Sequence, residues 1–445
     1  MSSPSFELRR ARGAVSALFL TNGALLANLL PRYPEIKAEL GLANSTYGLA
    51  LAAFPAGAIL AGLAAAGLVR RLGSARLAVL GTLLTGIGLL GAAAAPSALV
   101  LALALLVAGA CDAITDVAQN AHGLRVQRQY RRSIINSFHA VWSIGAVLGG
   151  SVAALAIALD VPLPWHLGAS ALIWAAVALI ALRFTLPGRD PAPVASPEAT
   201  GGTDADAAPA PAGGIRSPRV WMMLMALVFI AIGGSLVEDA GNSWATLYLG
   251  RDLGAPAVIA ASGYIALVGS QFVGRMLGDG MVDHFGQRAV ARAGGAIIML
   301  GMGLALAFPS VPGSIAGFAL AGFGSATLVP AAMQEADDLP GLRPGTGLTV
   351  VSWLMRLGFL ASPPLVGLVA DAAGLRTALL VVPLAGLLVI VLSAVLPGRS
   401  APAHREGTAQ ELPDPGADGP GADGPPGSVR PDAADRAPSD APAPR

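Results

Sequence analysis

The stretch DAITDVAQNAHG at 112–123 sets Asp112, Asp116, Gln119, Asn120 and His122 directly after SALVLALALLVAGAC, which holds no charge. At about 100° per residue, positions 112, 116, 119, 120 and 123 fall within about a third of a helix circumference, so the polar groups form one stripe. A charge facing lipid costs at least ~2.5 kcal/mol at a helix centre, so the stripe must face a bundle interior or an aqueous cavity. A carboxyl group placed there can carry a proton. Asp112 and Asp116 are therefore candidates for proton coupling, and Asn120 for a cavity wall. The alternative for both acids is a structural pair with a loop Arg or a helix N-terminus.

Further along, VEDAGNSWATLYL at 237–249 repeats the theme. Glu238 and Asn242 are four apart and share a face. An acid beside aromatics can bind a hydroxylated or cationic solute, or exchange a proton. Glu238 is thus a coupling candidate, Asn242 and Trp244 are cavity candidates, and Asp239 stays ambiguous. An interfacial aromatic belt explains Tyr248. Gln271, Arg275 and Asp279 recur every fourth residue and lead to Asp283. This stripe reads as a conformational latch, with Arg275 and Asp279 placed to neutralise each other, or as a permanent network. His139 shares a face with Asn136 and Ser143, beside Trp142; it could pass protons or be a satisfied structural histidine. Thr349, Ser352, Trp353 and Arg356 form another stripe. Arg356 has no acid near it in its span, so it needs Asp112 or an anionic solute group as partner. Asn22 can hydrogen-bond a solute or a neighbouring helix.

The elements that position these groups follow from composition. Of 445 residues, 54% are hydrophobic and 12% charged, about half the charged share of soluble domains. The apolar residues come in blocks such as AVSALFLTNGALLANLL and LAVLGTLLTGIGLLGAAAA, near the ~20 residues that cross a bilayer as a helix. Twelve spans are expected, near 13–31, 46–69, 76–95, 98–121, 134–159, 164–186, 219–249, 254–281, 289–308, 312–334, 346–370 and 376–396. The fold class is an all-α integral membrane protein of two pseudo-symmetric six-helix bundles, 13–186 and 219–396. Residues 1–12 form an N-terminal segment. Stretches rich in Pro, Gly, Ala and Asp make 187–218 a flexible linker and 397–445 a disordered tail. Arg and Lys crowd one side of the spans, which puts both termini and the linker in the cytoplasm.

Several function classes are set aside. A net charge of +1 argues against nucleic acid, and the single Cys111 cannot form an internal disulfide. Five scattered histidines with no HExxH leave no metal or cofactor site expected, and a membrane-embedded enzyme is disfavoured. There is no GxxxxGK[ST], so ATP-driven pumping by this chain is not expected. Arg9, Arg10 and Arg12 precede an apolar run too long for a cleavable signal, which reads as the first membrane helix.

A shift of 213 residues lays GLVRRLGSAR (67–76) on GMVDHFGQRA (280–289) and pairs Gly73 with Gly286, Gly81 with Gly294, Gly109 with Gly322 and Gly145 with Gly358. Both segments fall between the second and third spans of a six-span half. Duplicated six-helix halves with a site between them are a transporter architecture.

On these residues the chain resembles the major facilitator superfamily over roughly 10–396. The superfamily's loop motif after the second helix is similar to G-x-L-x-D-R-x-G-R-R. Asp283, Gly286 and Arg288 fit it in the second half. The first half keeps Arg71 and Gly73, but has Arg70 where the acid stands and Ser74 where an Arg stands. R-x-P-x-I-K-x-x-L-G-L at 32–42, D-V-A-x-N-A-x-G at 116–123, F-H-A-x-W-S-x-G at 138–145, G-R-x-x-G-D at 274–279 and S-P-P-x-x-G at 362–367 look like the bacterial YbjJ-type branch near the fucose permeases. GAVLGGSVAA resembles an antiporter signature of the fifth helix, with Gly150 in place of its Pro.

The resemblance implies a monomeric transporter in the cytoplasmic (inner) membrane of a bacterium, working by alternating access on a small molecule and protons. Two directions stay open: uptake of a sugar-like solute with a proton, or export of a metabolite or drug against protons. A sensor or scaffold on the same fold is the alternative of another class.

Overall fold

The computed structural model describes residues 5–130, 134–188, 218–340, 342 and 346–398. All elements among them are helical. Most of the 187–218 linker and of the 397–445 tail lies outside the described residues.

The first half runs α1 (Phe6–Ala27), a 3₁₀ turn, α2 (Tyr33–Glu39), α3 (Asn44–Leu72), α4 (Ser74–Ala93), α5 (Ala98–Tyr130), α6 (Ile135–Ala158) and α7 (Leu163–Leu182). The second half runs α8 (Pro218–Leu247), α9 (Ala257–Phe285), α10 (Gln287–Ala307), α11 (Val311–Ser325), α12 (Leu328–Asp337), α13 (Thr346–Ala373), α14 (Leu375–Ala378) and α15 (Val381–Leu392). Together they make twelve helical segments long and apolar enough to cross a membrane.

Two features differ from the hydropathy blocks. The first is helix length. α5 continues to Tyr130, about nine residues past the apolar block, so at about 1.5 Å per residue it spans some 50 Å. Hydropathy marks where lipid stops, and the helix continues into charged residues beyond it. The second is interruption. The tenth span breaks between α11 and α12 around Ala326–Thr327, and the twelfth around Leu379–Leu380. Pro330 and Pro383 supply no N–H to residues 326 and 379 and so weaken the helix at both breaks, although α3 and α13 run unbroken over Pro55 and over Pro363 and Pro364.

The internal duplication is visible in the backbone. Gly73 and Gly286 join equivalent helix pairs with φ/ψ of 82°/145° and 83°/153°, a conformation that L side chains rarely adopt. A Cβ on Gly109 would overlap the carbonyl of Phe54, and one on Gly322 would overlap that of Leu267. Phe54 and Leu267 are themselves 213 apart, so the same helix crossing is built twice.

Each half packs mainly on itself, and the halves meet along two seams, α3 with α13 and α6 with α9. In the first seam Gly48 lies against the carbonyl of Pro363. In the second, a Cβ on Gly150 would sit 2.6 Å from Tyr264 Cε1. Gly150 therefore makes room for an aromatic ring of the other half. The end of the bundle where α1 begins and α15 finishes is called the terminal end below, and the opposite one the far end.

Candidate functional site

Three helices of the first half converge on Asn22. Its Nδ2 donates to Asp112 Oδ1 of α5 at 2.7 Å, and its Oδ1 accepts from Trp142 Nε1 of α6 at 2.8 Å. An indole N–H can only donate, so the amide orientation is fixed and Asp112 Oδ1 must accept. Asp112 Oδ2 is left as the oxygen that can take a proton without disturbing this chain. One turn along α5, Asn120 Nδ2 reaches the Asp116 carbonyl at 2.9 Å and its Oδ1 at 3.0 Å.

Asp116 lies within electrostatic reach of His139 on α6 and of Arg356 on α13, across the gap between halves. His139 is likewise within reach of Arg275 on α9. Asp116, His139, Arg356 and Trp353 are all exposed although they sit on membrane-crossing helices, Trp353 by 50%. They face a shared space between the halves. His139 stands with its ring edge-on to Phe19 at 5.2 Å.

In the second half Glu238 is held from α9. Gln271 Nε2 donates to its Oε2 at 3.1 Å, and Arg275 Nη2 lies 3.8 Å from the same oxygen. The expected pairing of Arg275 with Asp279 is not made. Asp279 is exposed nearer the terminal end, whereas the less exposed Glu238 gains more from a cation. Asn242 is half-buried, and its Oδ1 is enclosed with no hydrogen-bond partner among the described residues. Trp244 is fully buried, its ring edge-on to Tyr47 at 5.1 Å, so it lines no opening in this state.

The far end is closed. Asp371 of α13 caps α3 of the other half, its two oxygens accepting the N–H groups of Asn44 at 2.9 Å and Ser45 at 2.8 Å. Tyr47 Oη donates to the Ser243 carbonyl at 2.9 Å. Asp239 accepts from Ser243 Oγ at 3.0 Å and Ser362 Oγ at 2.5 Å.

At the terminal end Arg71, Asp279 and Asp283 are exposed and make no ion pair among the described residues. Gly73 and Gly286 serve as the helix joints there. Arg288 Nε donates to the Leu396 carbonyl at 2.8 Å and fastens the end of the twelfth span. The hydrogen bonds named between the halves all lie at the far end, while exposed Asp116, His139, Trp353 and Arg356 lie toward the terminal end of their helices. Spacing does not reveal Tyr47 and Asp371, because their partners lie on helices distant in sequence; Ser362 is legible only as the first residue of the S-P-P run.

The sequence model of the Major Facilitator Superfamily matches residues 15–279 and 270–431. An uncharacterized transporter, y4wD of Sinorhizobium fredii, is 28% identical over 86% of this chain and 97% of its own length. The membrane protein MosC of Rhizobium meliloti is 28% identical over 84% of this chain and 88% of its own. Among solved structures, a mutant of the nucleoside transporter NupG aligns with a TM-score of 0.67 at 13% identity, covering 87% of this chain and 100% of that one. The D-xylose-proton symporter aligns with a TM-score of 0.64 at 16% identity, covering 88% and 98%. At these identities the structural likeness concerns the fold alone.

Proposed function

The chain belongs to the Major Facilitator Superfamily and is a membrane transporter, and on that premise we propose that it moves a small polar solute by alternating access coupled to protons. The observation that carries this proposal is the Asp112–Asn22–Trp142 chain at the inner wall of the shared space. A proton arriving on Asp112 Oδ2 changes the charge of the wall without breaking the chain. Asn22 then relays the altered acceptor strength of Asp112 to Trp142, on a helix of the α6/α9 seam. Asp116 and Arg356, within electrostatic reach of each other across the gap, offer a carboxylate and a guanidinium to a solute rich in hydroxyl or amide groups. Glu238, held by Gln271 and Arg275, supplies the matching polar wall in the second half.

Arg9, Arg10, Arg12, Arg70, Arg71, Arg76, Arg125 and Arg128 gather at the terminal end. By the positive-inside rule that end is cytoplasmic, in the inner membrane of a bacterium, and the state described is open to the cytoplasm. The motifs at 32–42, 116–123, 138–145, 274–279 and 362–367 support membership of the YbjJ-type branch near the fucose permeases. The working unit is a monomer, since both halves of the site come from one chain.

The test is external pH in weakly buffered, de-energised cells that overproduce the protein, on adding deoxy-sugars, polyols or amphipathic drugs. Alkalinisation means symport and acidification means exchange, and Asp112→Asn should abolish either. Solute flux with no proton movement overturns the coupling. Unchanged proton movement in Asp112→Asn removes that residue from it.

A further inference from the structure

The far-end gate holds an acid that the cycle above does not use. Asp239 on α8 is 7% exposed. Each of its oxygens accepts one hydroxyl, from Ser243 one turn on and from Ser362 of α13. Both donors adjoin a contact with the other half. The Ser243 carbonyl accepts the Tyr47 hydroxyl, and Ser362 precedes Pro363, whose carbonyl lies against Gly48 of α3. One carboxyl group thus ties together the two helices of the second half on which α3 closes.

The charged surroundings of Asp239 are sparse. From the first half, the phenol groups of Tyr33 and Tyr47 lie within electrostatic reach of it. Its neighbour Glu238 turns to Gln271 and Arg275 of α9. On α13, Asp371 is occupied nearer the rim with the amides of α3. Lys37 of α2 donates to the Leu42 carbonyl at 2.6 Å, its Nζ 6.0 Å from the Tyr47 ring centroid. Among the described residues no Lys, Arg or His forms an ion pair with Asp239. An enclosed carboxylate without a cation is the costly form. Serine hydroxyls suit either form, because each can donate to a carboxylate or accept from a carboxylic acid.

We propose, on the premise of the transport cycle above, that Asp239 is a second proton-binding site, seated in the gate itself. A proton on Asp239 keeps α8 and α13 drawn together and the far end shut. Its release to far-side water accompanies opening, because the ionised group gains by being wetted. The step is a plain exchange between carboxylic acid and water, and it needs no co-reactant.

The experiment uses the full chain in lipid nanodiscs, with Cys111→Ser and nitroxide labels at Glu39→Cys and Ala373→Cys. The distance between labels is read by pulsed electron resonance from acid to alkaline buffer. The pair should lengthen as pH rises. Asp239→Asn, which cannot ionise, should stay short throughout. Ser362→Ala, which keeps the acid but cuts its tie to α13 in the closed state, should open at a lower pH. A folded Asp239→Asn that responds like the parent overturns the proposal, as does a parent with no response or an unmoved midpoint in Ser362→Ala. Asp112→Asn separates the two proposals. It should lose solute-driven proton movement and keep the gate response. A protein with solute-driven proton movement and a pH-insensitive gate loses the Asp239 site alone; one with a responsive gate and no such movement loses the coupled cycle.

Discussion

At the scale of single residues, the wall of the site depends on one amide. Asn22 satisfies a donor-only indole and a carboxyl oxygen at once. Asn22→Ala leaves both without their protein partner, at a cost of about 1–3 kcal/mol. A lower unfolding midpoint in detergent checks this, and proton-coupled flux should fall with it. Glu238 and Arg275 form a second unit. Glu238→Gln and Arg275→Gln remove the two ends of one contact, so their combined loss of activity should fall short of the sum of the single losses. Additive losses in a double-mutant cycle would show that the two charges act independently. Helical spacing in the sequence placed Asp112, Asp116 and Asn120 on one stripe, and the structure keeps them on one helix toward the shared space. The partners were not legible. Fourfold spacing pointed Arg275 at Asp279, yet its partner comes from α8, because spacing within one helix carries no information on distances between helices.

At the scale of elements, glycine sets how closely helices approach. Gly109 and Gly322 each sit where a side chain would enter a neighbouring backbone. Gly109→Leu should therefore destabilise the fold by ~1–3 kcal/mol or more, read as loss of the monodisperse peak after extraction. The gate rests on a different device, a carboxylate on the N-terminus of a helix in the other half. Asp371→Asn removes the charge from that cap and weakens it by about 0.3–1 kcal/mol. A longer distance between labels at Glu39→Cys and Ala373→Cys, measured in a Cys111→Ser background against the same pair with Asp371 intact, would report the loosened far end. An unchanged distance would show that the cap does not hold the gate. Hydropathy located all twelve spans because lipid contact demands a continuous apolar run. It missed the breaks at 326 and 379, which lie one turn before Pro330 and Pro383, a local effect that average hydropathy does not register.

At the scale of the whole molecule, the 213-residue shift read from glycines reappears as two equivalent joints and two equivalent crossings, so the doubled architecture is legible in the sequence itself. Which end is open was not. The two ends differ by a few hydrogen bonds across the seams, and a conformational equilibrium is set by protons and solute as much as by sequence. The most direct measurement of alternating access is the labelling of Trp353→Cys, in a Cys111→Ser background, by a membrane-impermeant thiol reagent added to right-side-out or inside-out vesicles. In the resting state Trp353 should be labelled from the side that carries the chain termini and protected from the other. Adding Asp371→Asn should shift labelling toward the far side at the expense of the first. Equal labelling from both sides at once, or protection from both, would contradict a single site opened to one end at a time.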